Sequence, residues 1–506
     1  MIRLVPMVVL RPAQRDDCDY VWRINNAVDV RQQSVNRAPI PLGTHRRWYL
    51  ARMWAELPLL WIVNADDVDV GVVRGDVEGT RATISIALDS AHRGRGIGRL
   101  AIGTATRMIF GQSMIHSVTA TIRVENVASQ RAFEAARYGR VDGDPDAAAE
   151  GLLTFAFPPP RAAGHADVLF RCDGGTTVGW GHATRCLALA SALHPYGFVS
   201  RFAMQAPDPR LVALLTGAGH AVHVLPDGDD LATTIAASEA SGARVLVLDS
   251  YRHDAAWLAA VRAAIGCAHV VIDDLADRVL PCEVIVNANP GAEQFDYSAY
   301  GAEVVLAGPR FALLRREFTP GLRPERAGLP DRRVLVTLGG SKLGEQALRI
   351  AQAIGEAPGV ARHTTLLVGG DADFEARAHA FASRDPAWRR TLVGADDVAR
   401  MLAATKLAVS AAGHTCFELA ALGVPALLVV GAPNQRPGAR AWCDAGAFGM
   451  LGEVDSVTPA EVAGRVLRAL DDEAWLASSA ARASELVDGN GADRVASLIA
   501  AVLEGV

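Results

Sequence analysis

Short runs of consecutive apolar residues recur along the chain after residue 166, each followed by a turn and then by an alanine-rich stretch with helical spacing. Unbroken Val, Ile and Leu runs are typical of strands that are buried on both faces of a parallel sheet. The pattern therefore predicts two doubly wound α/β units over residues 167–506, with ligands at the carboxyl ends of their strands. The predicted strands are Val168–Phe170, Val245–Leu248, Val270–Ile272, Val334–Val336, Thr365–Val368 and Ala426–Val430.

Residues 1–160 have a different pattern, in which strands, a glycine loop and helices follow one another less regularly. Predicted strands at Trp61–Val63 and Ala82–Leu88 precede the loop, and another at Val118–Ile122 follows an apolar helix. We interpret this segment as one compact α+β domain. The start, Met1–Pro6, has no small-residue cleavage site after it and is predicted to be a first strand, not a secretory signal.

Proline-rich segments mark the predicted domain boundaries. Three consecutive prolines at 158–160 cannot continue a helix or a central strand, and they predict a linker at 158–166. A second stretch rich in proline and arginine, 319–333, separates two strand-like segments. The predicted domains are therefore 1–157, 167–322 and 333–506.

The composition is typical of a globular chain with material for several cores. Of the 506 residues, 50% are apolar and 21% are charged, which excludes a disordered protein. Basic and acidic residues nearly cancel, 50 against 56, so the net charge gives no reason to expect a nucleic-acid or membrane partner. The apolar runs are far shorter than the ~20 residues that span a bilayer. We expect a soluble, cytoplasmic protein.

The seven cysteines are scattered along the chain, with no Cys-x-x-Cys spacing. This arrangement indicates neither a disulfide framework nor a zinc site. The sequence therefore gives no reason to expect a bound metal.

A glycine-rich loop follows the predicted strand that ends at Leu88. It reads Arg93-Gly94-Arg95-Gly96-Ile97-Gly98 and runs into an apolar helix. Glycines let the backbone approach a ligand closely, and the free amides of a helix start attract an anion such as a pyrophosphate. The alternative interpretation is a glycine-rich turn that carries two solvated arginines.

A second motif, Asn126-Val127-Ala128-Ser129-Gln130-Arg131-Ala132-Phe133-Glu134, opens the next helix. Together the two motifs resemble those of the GCN5-related N-acetyltransferases (GNAT), over about residues 7–145. In that family the Arg-x-x-Gly-x-Gly loop holds the pyrophosphate of acetyl-CoA, so the resemblance implies acetyl-CoA as cosubstrate and an amine as acetyl acceptor. The residues that the resemblance implies for acetyl-CoA binding are Leu88, Arg93, Gly94, Arg95, Gly96, Gly98 and Asn126.

Two positions depart from this family pattern. Phe133 stands where many members carry the tyrosine that protonates the leaving thiolate, and Arg137-Tyr138 replaces the usual Gly-Phe. The general acid is therefore unassigned, with Tyr138 as a candidate. Upstream, residues 22–26 and 45–48 resemble the acceptor-side helices of members that acetylate amino-sugar nucleotides. The alternative there is two helices with buried tryptophans.

The clearest motif in the rest of the chain follows the strand at Val168–Phe170. It is Gly179-Trp180-Gly181-His182, at the start of a predicted helix. Glycines open backbone amides at such a position, and a histidine at the mouth of a cleft can serve as a general base near neutral pH. The alternative is a histidine that only caps the helix.

Three stretches in the far half resemble the nucleotide-diphosphate half of the MurG-type glycosyltransferases with two Rossmann-like domains (GT-B). They are Leu338-Gly339-Gly340-Ser341, residues 410–425, and Gly431-Ala432-Pro433-Asn434-Gln435. The resemblance implies that the glycine turns face the diphosphate and that Glu418 accepts hydrogen bonds from the ribose hydroxyls. His414 is expected to be only a loop residue.

Residues 167–506 as a whole resemble a narrower family, the UDP-2,4-diacetamido-2,4,6-trideoxy-β-L-altropyranose hydrolases (PseG type) of pseudaminic acid biosynthesis. Besides the His182 loop, the matching stretches are 247–251, 272–274, 286–289 and 308–318. The resemblance implies that His182 is the catalytic base, which activates water for attack at the anomeric carbon and expels UDP. The residues that it implies for UDP-sugar binding are Trp180, Gly181, Ala183, Arg315, Gly340, Ser341, Thr415, Glu418 and Asn434.

Two positions in this half carry alternatives. Arg315 is implied to contact the sugar or the diphosphate, and the alternative is a structural ion pair with Glu317 or another carboxylate. Gly175 stands where the family usually carries serine, and the hydroxyl of Thr176 is a candidate replacement.

The two resemblances together imply consecutive reactions on small UDP-amino-sugar substrates. An acetyl-CoA-dependent transferase would acetylate the 4-amine of UDP-4-amino-4,6-dideoxy-β-L-AltNAc, and the hydrolase would then release UDP from the product. Three alternatives stay open at this stage. The far half could be a glycosyltransferase, the same two activities could act on a differently configured UDP-diacetamido sugar, or one half could be a non-catalytic module.

Overall fold

The structure, a computed structural model, describes residues 7–55, 58–110, 115, 117–141, 150–157, 167–175, 179–196, 198–320, 324, 333–338, 343–357, 364–368, 374, 376–378, 380, 389–392 and 398–505. The chain forms two compact units. The first contains residues 1–165, together with 192–198 and 496–506, and the second contains 166–191 and 199–495. Within the described ranges, no helix is both long and apolar enough to cross a membrane.

A seven-stranded mixed sheet forms the centre of the first unit. Its strands are β1 Val8–Pro12, β2 Leu60–Ala65, β3 Val68–Glu78, β4 Arg81–Leu88, β5 Ser117–Arg123, β6 Gly139–Val141 and β7 Leu152–Phe157. They lie in the order β1-β2-β3-β4-β5-β7-β6, and all neighbours are antiparallel except β4 and β5. The helices of this unit are α1 Cys18–Asn26, α2 Val28–Gln33, α3 Leu42–Met53, α4 Ile97–Phe110 and α5 Val127–Ala135.

The parallel pair β4 and β5 is joined only at one end. The ladder pairs Arg81–Thr83 with Ser117–Thr119, and beyond it each strand pairs only with its other neighbour. The last residues of β4, up to Leu88, therefore have no ladder partner on β5, and a gap opens there between the two strands.

Apolar side chains cover both faces of this sheet. On one face, Ile109 of α4 packs into a buried cluster with Ile84 of β4. On the other face, Val21 of α1 and Tyr49 of α3 pack with Val72 of β3. The alternation of side chains along each strand explains why the sequence supplies apolar residues at period two.

The second unit begins with a seven-stranded sheet in which every pair is parallel. Its strands are β8 Val168–Cys172, β9 Ser200–Gln205, β10 Ala221–Leu225, β11 Val245–Asp249, β12 Ala268–Ile272, β13 Val284–Asn287 and β14 Val304–Ala307. The order is β10-β9-β8-β11-β12-β13-β14. The helices between these strands are α6 Gly181–Leu193, α7 Pro209–Gly217, α8 Asp230–Ser241 and α9 Ala255–Ile265.

A six-stranded parallel sheet follows in the same unit. Its strands are β15 Val334–Thr337, β16 Thr364–Val368, β17 Arg389–Leu392, β18 Leu407–Ala411, β19 Ala426–Val430 and β20 Gly449–Glu453, in the order β17-β16-β15-β18-β19-β20. Its helices are α10 Gly344–Gly355, α11 Val398–Ala403, α12 Thr415–Ala421, α13 Arg436–Asp444, α14 Pro459–Asp471 and α15 Glu473–Leu486. The last helix, α16 Gly491–Gly505, begins in this unit, and its residues from 496 onward belong to the first unit. In both sheets the first and fourth strands lie side by side and the chain winds outward from them, which is the doubly wound arrangement.

These observations confirm the predicted fold class, an α+β domain followed by two doubly wound parallel sheets, as in the GT-B fold. Each predicted strand that lies within the described residues is present, and several are one to three residues longer than predicted. The segments Met1–Pro6 and 158–166 lie outside the described residues, as do most of residues 321–332. The limits of the three domains therefore stay predictions.

Gly174, directly beyond β8, tests how tightly this unit is packed. A Cβ atom there would lie 2.6 Å from Leu211 Cδ2 and 2.8 Å from Met204 Cε, so Gly174→Ala overpacks the core. We expect it to lower the free energy of unfolding by about 1–3 kcal/mol. The matched control is Gly217→Ala in α7, where a Cβ meets nothing within 4 Å. Urea unfolding followed by circular dichroism compares the two variants, and equal stability would contradict the packing argument.

Candidate active sites

The carboxyl edge of the first parallel sheet has a switch point between β8 and β11. These two strands are neighbours, and Cys172 at the end of β8 is in register with Asp249 at the end of β11. The connections from the two strands leave in opposite directions, because β9 lies on one side and β12 on the other. A crevice forms at such a point, and ligands bind there in doubly wound sheets.

His182 and Asp249 form a hydrogen-bonded pair at this switch point. His182 lies in the first turn of α6, and its Nδ1 is 2.5 Å from Asp249 Oδ1. The Asp249 side chain is almost fully buried, and that of His182 is 8% exposed. Because a carboxylate accepts hydrogen bonds, it favours the tautomer with the proton on Nδ1 and leaves a lone pair on Nε2. The pair therefore prepares Nε2 of His182 to accept a proton.

Arg185 holds Asp249 in place from the same helix. It lies three residues after His182, so both side chains leave the same face of α6. Its Nε and Nη2 donate to the two Asp249 oxygens at 2.6 Å each, and its Nη1 donates to both oxygens of Asp274 at 2.8 Å. Nη2 also lies 3.2 Å from His182 Nδ1, because both donors converge on the same Asp249 oxygen.

The charges in this cluster stabilise one another. Burial alone would raise the pKa of Asp249, but Arg185 and His182 hold it well below its usual range, so the carboxylate stays ionised. Burial works against the charge of Arg185 as well, yet Asp249 and Asp274 raise its pKa well above the ordinary value. Breaking such a buried pair on one side typically costs about 3–5 kcal/mol.

Tyr251 closes the cluster on the side of β11. Its ring packs edge-on against the His182 imidazole, with the centres 4.7 Å apart, and its hydroxyl donates to Asp274 at 2.7 Å. Burial raises the pKa of Tyr251, followed in size by the effect of Asp274, so the phenol keeps its proton. The ring therefore fixes the plane of the His182 imidazole.

The far half of the unit contributes His414 to the same cluster. His414 directly precedes α12, and a Cβ atom added to Gly181 would lie 3.6 Å from His414 Cβ. Burial, then the charges of Arg185 and Arg315, lower the pKa of His414 to about 3. A small cavity of about 10 Å³, the space that one water needs, is lined here by Arg185, Ile272, Asp274, Val286, Ala288, Ala312, Leu313, His414 and Phe417. His414 thus lies in the loop directly before α12, as expected, and it lines this cavity.

Arg315 and Glu418, both predicted to bind the UDP-sugar, lie together. Arg315 Nη2 is 3.3 Å from Glu418 Oε1, and its Nη1 is 3.1 Å from Glu317 Oε1. Burial raises the pKa of Glu418, and Arg315 opposes that effect. The observed ion pairs correspond to the alternative interpretation of Arg315, and they also place its guanidinium beside the carboxylate predicted to bind ribose.

The other residues predicted to bind the UDP-sugar differ in their exposure to solvent. Trp180 and Gly181 lead into α6 and are partly exposed, whereas Ala183 is fully buried, so only its backbone could contact a ligand. Thr415 is half-buried at the start of α12, and Asn434 is exposed in a short 3-10 helix. Three predicted residues lie outside the described part of the chain: Gly340, Ser341 and Thr176.

In the first unit, the glycine loop lies at the open end of β4. Gly94 and Gly96 have φ angles of +76° and +80°, which favour glycine, and a Cβ at either would meet nothing within 4 Å. Arg93 Nε and Nη2 donate to the carbonyl of Leu88 at 3.0 and 2.7 Å, which fastens the loop to the strand. Arg95 lies 3.5 Å from Asp66. Gly98 lies in the first turn of α4, near the Leu88 side chain.

Asn126, which was predicted to bind acetyl-CoA, and the two positions Phe133 and Tyr138 that depart from the family pattern make structural contacts in this fold. Asn126 caps α5, because its Oδ1 accepts a hydrogen bond from the backbone N–H of Ser129 at 3.1 Å. Phe133 and Tyr138 are buried and pack edge-on against each other. The Tyr138 hydroxyl lies 2.5 Å from Thr106 Oγ1, and burial raises its pKa. Tyr138 is therefore a core residue, which argues against it as the general acid.

Sequence reasoning missed the partners of His182. Asp249, Tyr251 and Asp274 lie in stretches that were matched to the hydrolase family, but no role was assigned to them. A signal was present, because Asp249 and Asp274 each follow a buried strand at the edge where doubly wound sheets bind ligands. For Arg185 the only indication in the sequence was its position three residues after His182, which places both side chains on the same face of a helix.

Among the described residues, no group of three or more His, Cys, Asp or Glu side chains is arranged to hold a metal ion. The carboxylates of the His182 cluster are instead occupied by Arg185 and Tyr251. The expectation of a metal-free reaction stays a prediction.

Known proteins resemble both parts of the chain. Residues 7–138 match the acetyltransferase (GNAT) domain family. The chain is 21% identical over 328 residues to the spore coat polysaccharide biosynthesis protein SpsG of Bacillus subtilis (strain 168), a match that covers 65% of this chain and 96% of that protein. The chain therefore carries an N-terminal GNAT acetyltransferase domain and a GT-B-like region with distant similarity to SpsG.

Solved structures similar to this chain include MurG of Acinetobacter baumannii, with 18% identity and a TM-score of 0.46 over 66% of this chain and 99% of that one. They also include a GNAT-family acetyltransferase of Bacillus anthracis, with 16% identity and a TM-score of 0.27 over 30% of this chain and 95% of that one.

The lowered pKa of His414 predicts a dependence of stability on pH. An unfolded histidine has a pKa near 6.5, whereas that of folded His414 is about 3, so between these values only the unfolded chain binds the proton. The free energy of unfolding should therefore fall as the pH drops below about 6.5, and His414→Asn should weaken that fall.

Urea-unfolding midpoints at pH 7.5, 6.5, 5.5 and 4.5 measure this slope. His269, whose pKa burial lowers to about 4, contributes to the same slope, so the variant keeps part of it. The control is His194→Asn, at an exposed position. Parallel curves for wild type and His414→Asn would contradict the lowered pKa of His414.

Proposed function

We propose that the chain is a bifunctional enzyme of pseudaminic acid biosynthesis. Its GNAT domain transfers an acetyl group from acetyl-CoA to the 4-amine of UDP-4-amino-4,6-dideoxy-β-L-AltNAc. Its GT-B-like region then hydrolyses UDP-2,4-diacetamido-2,4,6-trideoxy-β-L-altropyranose to the free sugar and UDP. The observation that carries the hydrolytic step is the His182–Asp249 hydrogen bond at the switch point of the first parallel sheet.

The hydrolytic step needs a base that removes a proton from water. Nε2 of His182 accepts that proton while Nδ1–H stays on Asp249, whose ionised carboxylate stabilises the imidazolium that forms. The water oxygen bonds to the anomeric carbon, and the bond from that carbon to the phosphate oxygen breaks. UDP leaves with the electron pair. Arg185 keeps Asp249 in position throughout.

Arg315 and residues of the far half support the departure of UDP in this proposal. Arg315 supplies positive charge next to Glu418, the carboxylate implied to bind ribose. His414, neutral near pH 7, lies between this ion pair and the His182 loop. Donors at such positions stabilise the negative charge that develops on the leaving phosphate.

Acetyl transfer takes place on the first unit in this proposal. The amine nitrogen attacks the thioester carbonyl, the carbon–sulfur bond breaks, and the coenzyme A thiolate takes up a proton. The match to the GNAT family supports acetyl-CoA as the donor. The open glycine loop at 93–98 supports a pyrophosphate site, because its positive φ angles leave room for a phosphate close to the backbone.

A mass-resolved time course with UDP-4-amino-4,6-dideoxy-β-L-AltNAc, with and without acetyl-CoA, tests the proposal. UDP and a free diacetamido sugar that appear only with acetyl-CoA support both activities and their order. An acetylated UDP-sugar that accumulates intact overturns the hydrolytic step and points to a glycosyltransferase that needs another acceptor. If this sugar is not converted but a differently configured UDP-amino sugar is, the proposed substrate is wrong and the two proposed activities stand.

His182→Ala should abolish UDP release and spare acetyl transfer. Loss of the base lowers the rate by about 100-fold or more, since general base catalysis contributes 10²–10⁴-fold. Asp249→Asn should cause a loss of the same order, because an amide no longer selects the tautomer of His182. UDP release from the pre-acetylated substrate is measured beside the control His194→Ala. An equal loss of both activities in His182→Ala would contradict two independent sites.

Gly96→Trp should weaken acetyl-CoA binding at least about tenfold, because the indole fills the space beside the loop backbone. The matched control is Gly79→Trp in the turn between β3 and β4, where φ is +59° and a Cβ also meets nothing within 4 Å. Both variants carry the same kind of backbone strain, so only the location differs. The KM for acetyl-CoA is the measurement, and an unchanged value in Gly96→Trp would remove this loop from the proposed site.

A further inference from the structure

A second buried carboxylate lies beside the His182 cluster, at the same edge of the first parallel sheet. Asp173 directly follows β8, and its backbone N–H donates to the carbonyl of Asp249, the last residue of β11, at 3.2 Å. The side chain of Asp249 in turn holds His182. The two carboxylates therefore belong to adjoining strand ends, and a group that is bound to Asp173 lies close to the crevice of His182.

Arg252 occupies the carboxylate of Asp173. Its Nη2 and Nε donate to the two Asp173 oxygens at 2.6 and 3.4 Å, and its Nη1 donates to Gln205 Oε1 at 2.9 Å. Gln205 ends β9, Asp173 follows β8, and Arg252 lies three residues beyond β11. The guanidinium therefore spans the carboxyl ends of three neighbouring strands, at the edge where doubly wound sheets bind ligands.

The carboxylate of Asp173 is buried, whereas the guanidinium of Arg252 faces solvent. The Asp173 side chain is 8% exposed and that of Arg252 is 52% exposed. Ser250 Oγ also donates to Asp173 at 2.6 Å, and Arg171 Nη1 does so at 3.4 Å. Burial alone would raise the pKa of Asp173, but these three donors hold it below its usual value. A ligand at this edge therefore meets the positive guanidinium and not the carboxylate.

Arg252 keeps donors that no described residue uses. A guanidinium has five N–H groups, and within the described part of the chain three of those on Arg252, one on each nitrogen, have an acceptor. The other two lie on Nη1 and Nη2 of a side chain that is half exposed. Because the bonds to Asp173 and Gln205 fix the plane of the guanidinium, these two donors have a fixed direction. They suit an acceptor such as a carbonyl oxygen.

The loop after β11 holds Arg252 and the His182 cluster side by side. Tyr251 packs its ring against the His182 imidazole, and the next residue, Arg252, bonds to Asp173. Arg278 fastens this loop by donating to two of its backbone carbonyls, at 2.8 and 3.0 Å. Two consecutive side chains thus reach the proposed base and the exposed guanidinium, so one small ligand can contact both.

The glycine loop that leads to His182 passes beside the partner of Arg252 on β9. A Cβ on Gly175 would lie 3.3 Å from the carbonyl of Ala206, the residue directly after that partner. Gly175 and Gly179 exchange backbone hydrogen bonds at 3.3 and 2.9 Å, and a Cβ on Gly179 would meet nothing within 4 Å. A ligand that lies along this loop therefore has Arg252 at one end and His182 at the other.

We propose that Arg252 is the residue by which the GT-B-like region distinguishes an acylated amino sugar from a free one. The inference rests on the proposed function and adds the residue that fixes the order of the two reactions. Before acylation the sugar amine is an ammonium, which the guanidinium repels. After acylation the amide carbonyl accepts hydrogen bonds from the two remaining N–H groups. Carbon 4 lies across the pyranose ring from the anomeric carbon, so Arg252 contacts the acyl group while His182 acts at the other side.

The rates of UDP release from the acetylated and the unacetylated UDP-amino sugar, both without acetyl-CoA, test this role. The wild type should prefer the acetylated sugar. Arg252→Gln removes the charge and should lower the ratio of the two kcat/KM values at least about tenfold, with a gain on the unacetylated sugar. Loss of structure cannot produce such a gain. Arg252→Lys keeps the charge and should still reject the ammonium.

Arg262→Gln is the matched control. Arg262 also pairs with a carboxylate, that of Glu283, and its side chain is 41% exposed, but the pair lies at the amino end of β13. An equal fall for both sugars in Arg252→Gln would show that Arg252 is only a structural ion-pair partner, and would overturn the inference. Weaker inhibition by UDP in Arg252→Gln would show that Arg252 binds the diphosphate, which overturns it as well.

A binding measurement separates this inference from the proposed reaction. The full-length His182→Ala chain is titrated by calorimetry with each of the two UDP-sugars. We expect tighter binding of the acetylated one, and a preference at least about tenfold smaller when Arg252→Gln is added. If the wild type releases no UDP from either sugar but this preference depends on Arg252, the proposed hydrolysis is wrong and the inference stands. If the wild type releases UDP and Arg252→Gln leaves the preference unchanged, the inference is overturned and the proposed function stands.

Discussion

The buried carboxylate of Asp249 is the group on which the second site depends. It accepts hydrogen bonds from His182 Nδ1 and from two nitrogens of Arg185, all within 2.6 Å. A carboxylate removed from water is stable as an ion only when such donors replace the solvent. The same contacts fix the tautomer of His182 and the rotamer of Arg185. The same hydrogen bonds therefore stabilise the charge of Asp249 and orient His182 as a base.

This arrangement needs the doubly wound topology. Asp249 ends β11 and His182 begins the helix after β8, and these strands are neighbours only because the chain reverses its winding between them. Asp274, two residues beyond the end of β12, joins the cluster from the next strand through Arg185. Residues beyond the carboxyl ends of three neighbouring strands, β8, β11 and β12, thus meet at one point. The far half adds His414, which lies close to Gly181.

In the first unit the two faces of the sheet are covered by helices to different extents. Helix α4 buries one face with apolar side chains such as Ile84, whereas the other face changes from apolar under α1 and α3 to hydroxyl-bearing on β5 and β7. The short ladder between β4 and β5 leaves a gap at the point where that change occurs.

The sequence by itself determined six of the thirteen strands of the two parallel sheets, the glycine loop at 93–98 and the position of His182 beyond the strand at Val168–Phe170, because these features depend on residues close together in the chain. It made Tyr138 a candidate general acid, whereas in the structure Tyr138 is a core residue. The sequence could not show this, because burial depends on packing against distant residues such as Thr106. Only the tertiary structure brought Asp249, Arg185 and His414 to His182, because strand order decides which distant loops share an edge.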